Sequence, residues 1–62
     1  MWELLYETFW DRLEHFCCNL CRDEARAEDL TQEVFLRAYR ALARGETLRC
    51  ERAWLIRVAV NV

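Results

Sequence analysis

The chain has 62 residues, a single Gly, no Pro and a formal net charge of −2, which limits it to one small domain with a thin core. It has no apolar run long enough to span a bilayer and no basic segment leading into an apolar run as in a signal peptide, so a cytoplasmic protein is expected. The four cysteines are then expected to stay reduced, which excludes a disulfide-stapled scaffold.

Nothing in the chain alternates with the period of a strand, so the fold class is read as all-α, a small three-helix bundle. The first helix is predicted from about Trp2 to Cys21. There Trp2, Leu5, Tyr6, Phe9, Trp10, Leu13, Phe16, Cys17 and Leu20 recur at intervals of three and four, the spacing of a core-facing stripe. Asp23 reads as the N-cap of a second helix running from about Glu24 to Ala43, with Glu24 and Glu28 suited to its positive dipole end.

In that second helix Leu30, Val34, Phe35, Ala38, Ala41 and Leu42 share an arc of roughly 140°, the width of an ordinary core stripe. The opposite arc carries Asp29, Gln32, Glu33, Leu36, Tyr39 and Arg40. A face built only for water does not usually set a leucine and a tyrosine among two acids and an amide, so this face reads as a protein-docking surface. The plain alternative is a tolerated exposed Leu. Gly45 is a natural residue for the position after the helix end, and residues 44–50 are expected to form a loop.

From Glu51 the chain turns helical again, and between Ala53 and Val62 its only polar residues are Arg57 and Asn61. These two lie on one side of the helix with Trp54 a turn before Arg57. An arginine for phosphate, an amide for a base edge and an indole for stacking make a nucleic-acid contact set. The competing reading makes Arg57 and Asn61 a solvated face and Trp54 a core residue. Charge along the chain fits two partners: residues 1–33 sum to −6 and residues 34–62 to +4, and every basic residue is Arg. The acidic half suits a basic protein surface and the basic half can neutralise phosphates, although solvated helices carry charge in any case.

The segments Ala-Glu-Asp-Leu-Thr-Gln-Glu-Val-Phe-Leu-Arg-Ala-Tyr-Arg-Ala-Leu at 27–42 and Ala-Trp-Leu-Ile-Arg-Val-Ala-Val-Asn at 53–61 resemble region 2 of the extracytoplasmic-function sigma factors, small members of the sigma-70 family. The likeness covers the whole chain in helix order. It implies one region 2 domain over residues 1–62, incomplete at its C-terminal end and with no second domain. In the family, the face of the second helix that carries the DLxQE motif docks on the β′ clamp helices of RNA polymerase. Residue by residue, the resemblance puts Asp29, Gln32, Glu33, Phe35 and Tyr39 at that contact with Leu36 beside them.

The family's loop and third helix capture the promoter −10 element as it opens, holding an unpaired base of the non-template strand in a pocket. Asn61 matches the asparagine that helps form that pocket, and Trp54 and Arg57 lie on the same helix. By charge alone, Arg49, Arg52 and Arg57 would favour the strand. An anti-sigma factor is a further possible partner, no cofactor is implied, and no covalent chemistry is required, so the chain is read as a non-enzyme. Two departures bear on promoter preference. Ala43 stands where the family commonly has an aromatic before the Arg44-Gly45-Glu46 stretch, and about two extra residues separate that stretch from Trp54.

Two rival readings are set beside this one. His15, Cys18 and Cys21 recur every third residue, and with Cys50 they would make a set of four zinc ligands in a metal-stabilised interaction module. One straight helix rarely supplies three tetrahedral ligands, however, and Cys17 on the core stripe reads as a small hydrophobe. The other rival is a self-associating helical module whose thin core leaves apolar surface uncovered.

Overall fold

The chain folds as three helices, α1 (Trp2–Cys21), α2 (Glu24–Ala43) and α3 (Glu51–Asn61), in a computed structural model that describes residues 2–62 and all of their side chains except that of Trp2. Trp2 as a core residue thus lies outside the described side chains. All three helices contribute to one core: Leu5, Leu13 and Cys17 from α1, Ala27, Val34, Phe35 and Ala38 from α2, and Leu55 and Ala59 from α3. Four of these nine are alanine or cysteine. Such small side chains let the helices approach closely but contribute little apolar area each, which keeps the core thin.

The turn between α1 and α2 is two residues long. Arg22 takes a left-handed φ of 57°, and its amide donates to the Cys18 carbonyl at 2.8 Å. Asp23 follows in an extended conformation, and its carboxylate accepts from the amides of Ala25 and Arg26 at 3.0 and 3.4 Å. This is the expected N-cap. It satisfies two of the helix's free amides and puts a negative charge at the positive end of the dipole.

At its other end α2 closes in a Schellman motif. The Gly45 amide donates to the Leu42 carbonyl at 3.0 Å and the Glu46 amide to the Ala41 carbonyl at 3.1 Å. Gly45 supplies the required positive φ of 89°. An Arg44–Glu46 ion pair at 2.7 Å closes over the turn, and residues 44–50 then lead into α3 as predicted.

One expectation for α1 fails. Leu20, in the last turn of α1 next to the two-residue connection to α2, is half exposed. Thr31 is the opposite case, a polar residue on the core side of α2 and fully buried. Its hydroxyl donates to the Ala27 carbonyl one turn back at 2.7 Å, so burial leaves no unsatisfied donor.

Candidate functional site

Two surfaces flank the outer side of α2. The first is the stripe opposite the core. Asp29, Gln32, Leu36 and Tyr39 are exposed and Glu33 is half-buried, with Leu36 and Tyr39 among the exposed large apolar residues. Asp29, Gln32, Glu33 and Leu36 border a cleft that reaches across to Tyr6 of α1 and has Phe35 at its base.

Phe35 lies on the core stripe, as its spacing predicts, and not on the surface where the family resemblance puts it. Its side chain is 1% exposed and belongs to an aromatic cluster with Tyr6 and Trp10, at centroid distances of 5.1 and 5.5 Å, while Tyr6 stacks on Trp10 at 4.8 Å. Offset and tilted aromatic contacts of this kind add to plain burial. The cluster therefore forms a rigid floor under the stripe. Phe35 holds up the surface and does not present itself on it.

The second surface is a cleft between α2 and α3. Trp54, Arg57, Val58, Asn61 and Val62 of the α3 side line it together with Arg37 of α2. The sequence expectation that Trp54, Arg57 and Asn61 share one side of α3 is met: the indole is half-buried, and both polar side chains are exposed. At about 250 Å³ the cleft is below the ~300 Å³ at which drug-sized pockets begin, so it suits one flat group rather than a cofactor. No acidic side chain is among its lining residues. Two guanidiniums, an amide and an indole edge can together hold a phosphate and a base.

Arg37 was absent from the sequence-derived set. The available signal was its place four residues after Glu33 on the flank of the stripe. Arg37 Nε donates to Glu33 Oε2 at 3.0 Å, and the pair bridges the two surfaces. Arg49 and Arg52 are both exposed and neither lines the α2–α3 cleft. Arg52 instead borders a groove between α1 and α3 with Phe9, Asp11, Arg12 and Phe16, on another side of α3.

The zinc set does not assemble. Among the described residues no three His, Cys, Asp or Glu side chains are grouped to hold a metal ion, which overturns the ligand set of His15, Cys18, Cys21 and Cys50. All four cysteines are free. Cys17 is fully buried, and burial pushes its thiol pKa up, an effect reduced by a hydrogen bond with Thr31 and increased by Cys21 and Glu14 nearby. No helix among the described residues is long and apolar enough to cross a membrane.

A helical hairpin with a capped, acid-bearing outer face, followed by a short helix that closes a cationic aromatic cleft, defines a small three-helix domain. The chain belongs to the sigma-70 region 2 family, whose model matches residues 5–62. Over 60 residues it is 33% identical to the ECF RNA polymerase sigma factor SigX of Bacillus subtilis, covering 97% of this chain and 31% of that protein. It is also similar to the ECF RNA polymerase sigma factor SigL of Mycobacterium tuberculosis, with 41% identity over 59 residues, 94% of this chain and 33% of that protein. The chain thus spans about a third of the length of the curated relatives it matches. No solved structure matches it.

Proposed function

We propose that this chain is a transcription-initiation module that docks on RNA polymerase through the outer face of α2 and captures an unpaired promoter base in the α2–α3 cleft. The observation that carries the reading is the convergence of Trp54, Arg57 and Asn61 with Arg37 around one cleft free of acidic side chains, next to the acid- and amide-bearing face of α2. Family membership and relatives named as RNA polymerase sigma factors support the choice of partners.

In this reading Asp29 and Glu33 pair with arginines of the β′ clamp helices, Gln32 hydrogen-bonds, and Leu36 and Tyr39 supply apolar contact. Phe35 acts from below by keeping the face rigid. In the cleft, Asn61 bonds the edge of an unpaired non-template base of the −10 element, Trp54 stacks, and Arg57 takes the adjoining phosphate. Taking a base out of the stack costs a few kcal/mol, which stacking and hydrogen bonding in the cleft must offset. Arg49 and Arg52 act at longer range, adding positive potential along the strand. No covalent step is needed, and work on RNA polymerase puts the chain in the cytoplasm.

Reversing charge at Asp29 and Glu33 to Arg tests the docking half. Binding to a purified clamp-helix fragment should be lost while the helical circular-dichroism signal is retained; unchanged binding refutes the assignment. For the cleft, Asn61→Ala should weaken binding of a single-stranded −10 oligonucleotide and leave clamp-helix binding intact. Equal loss of both activities would refute the division into two surfaces.

A further inference from the structure

Among the described residues one ion pair joins the two surfaces. Glu33 borders the cleft on the outer side of α2, and Arg37, one turn later, borders the cleft toward α3. Arg37 Nε meets Glu33 Oε2 at 3.0 Å, with side chains 52% and 39% exposed. A pair so open to water is held weakly and exchanges partners easily.

Among the described residues Glu33 is the one ion-pair partner of Arg37. Arg57 lies across the same cleft, whose other lining side chains carry no acid. The side-chain carboxylate that pairs with Arg37, and so competes with an incoming phosphate, therefore belongs to the other surface. We infer that Arg37 is a second phosphate-contacting residue of the cleft, that Glu33 holds it back in the free chain, and that a basic partner docking on Glu33 releases it to the strand. This rests on the proposed reading of both surfaces.

The physical step is an exchange of partners. When a cationic side chain of the docked protein pairs with Glu33, the carboxylate no longer holds Arg37, and the planar guanidinium can present two parallel N–H groups to a phosphate. Coupling of this kind is reciprocal: a strand phosphate that takes Arg37 leaves Glu33 unpaired and more receptive to a basic surface. Docking and strand capture then favour one another without any change of fold.

The test measures fluorescence anisotropy of a labelled single-stranded −10 oligonucleotide bound to the chain across a range of salt concentrations, with no polymerase present. Removing the restraint with Glu33→Gln should tighten binding by about two- to fivefold, the scale of one exposed ion pair. Arg37→Gln should weaken binding and lower the salt slope by about 0.7, the loss of one phosphate contact on a single strand. Adding Glu33→Gln to Arg37→Gln should then give no more gain than Glu28→Gln, which removes one negative charge of the same helix that has no part in the pair.

An equal gain from Glu33→Gln with and without Arg37 would mean that Glu33 acts through general charge, and the inference would fall. If Asn61→Ala and Arg57→Gln weaken binding while Arg37→Gln does not, the cleft reading stands and the inference alone is wrong. If neither the parent chain nor Glu33→Gln binds the oligonucleotide at low salt, both fail together.

Discussion

Phe35 and Leu36 are neighbours in sequence and opposites in role. Phe35 fills the core under the proposed docking stripe, whereas Leu36 is 43% exposed on it. Truncating Phe35 to Ala should cost ~3–5 kcal/mol, enough to unfold a domain of this size, so any loss of docking would be indirect and would appear with loss of helical signal. Leu36→Ala should leave stability within about 0.5 kcal/mol yet weaken clamp-helix binding, measured by calorimetric titration beside a thermal melt. Cys17 gives a second residue-scale outcome. Burial raises its thiol pKa, so the unfolded chain releases that proton at the ordinary thiol value near ~8.5 while the folded chain retains it to higher pH. The folded state then binds more protons, and its stability falls as pH rises. The contribution is complete below ~8.5 and is lost as pH climbs through the raised value. Urea unfolding at neutral pH and at about pH 9.5 should show a smaller alkaline loss in Cys17→Ala than in the parent chain; an identical loss in both would assign it to other groups.

At the scale of the element, both ends of α2 are governed by backbone conformation, and the two left-handed residues predict opposite signs. Arg22 adopts φ 57° with a side chain attached, so Arg22→Gly should remove strain and stabilise by up to ~1 kcal/mol. Gly45 has φ 89° with nothing within 4 Å of an added Cβ. Gly45→Ala should therefore destabilise by ~1 kcal/mol through conformation alone, without a clash. Thermal melts should move the two variants in opposite directions, by about 4–8 °C per kcal/mol in a domain this small. Element boundaries were legible in the sequence because capping chemistry is local: Asp23 accepting from two amides and Gly45 after Arg44 need no tertiary information. Periodicity places Phe35 correctly on the core stripe, and only the family resemblance carries it to the surface contact; Leu20 departs from its stripe because periodicity gives a direction around a helix and not what stands there. No helix covers Leu20, and Tyr6 and Trp10 close over Phe35. Arg37 went unseen because the cleft it lines exists only once α3 lies against α2. Arg52 was grouped with the strand by charge, but it faces α1 because α3 presents different sides to its two neighbours.

For the whole molecule, the question is whether the two surfaces can exist apart. The proposed docking stripe lies on α2 over a floor shared with α1, whereas the cleft needs α3, which adds Leu55 and Ala59 to the buried core. Leu55 is nonetheless 1% exposed within the same cluster as Val34 and Phe35, so removal of α3 would open the core beneath both surfaces. A domain this small gains too little from burial to leave a stable two-helix remnant. Folding is then all-or-none, and helical circular dichroism and tryptophan fluorescence should melt at one midpoint. Leu55→Ala should cost ~2–5 kcal/mol and abolish clamp-helix binding together with oligonucleotide binding, although Leu55 touches neither partner in the proposed reading. Were docking to survive in Leu55→Ala while oligonucleotide binding is lost, α3 would be a separable element packed onto an independently stable hairpin. The cleft would then be assembled by α3 docking instead of being fixed by the fold.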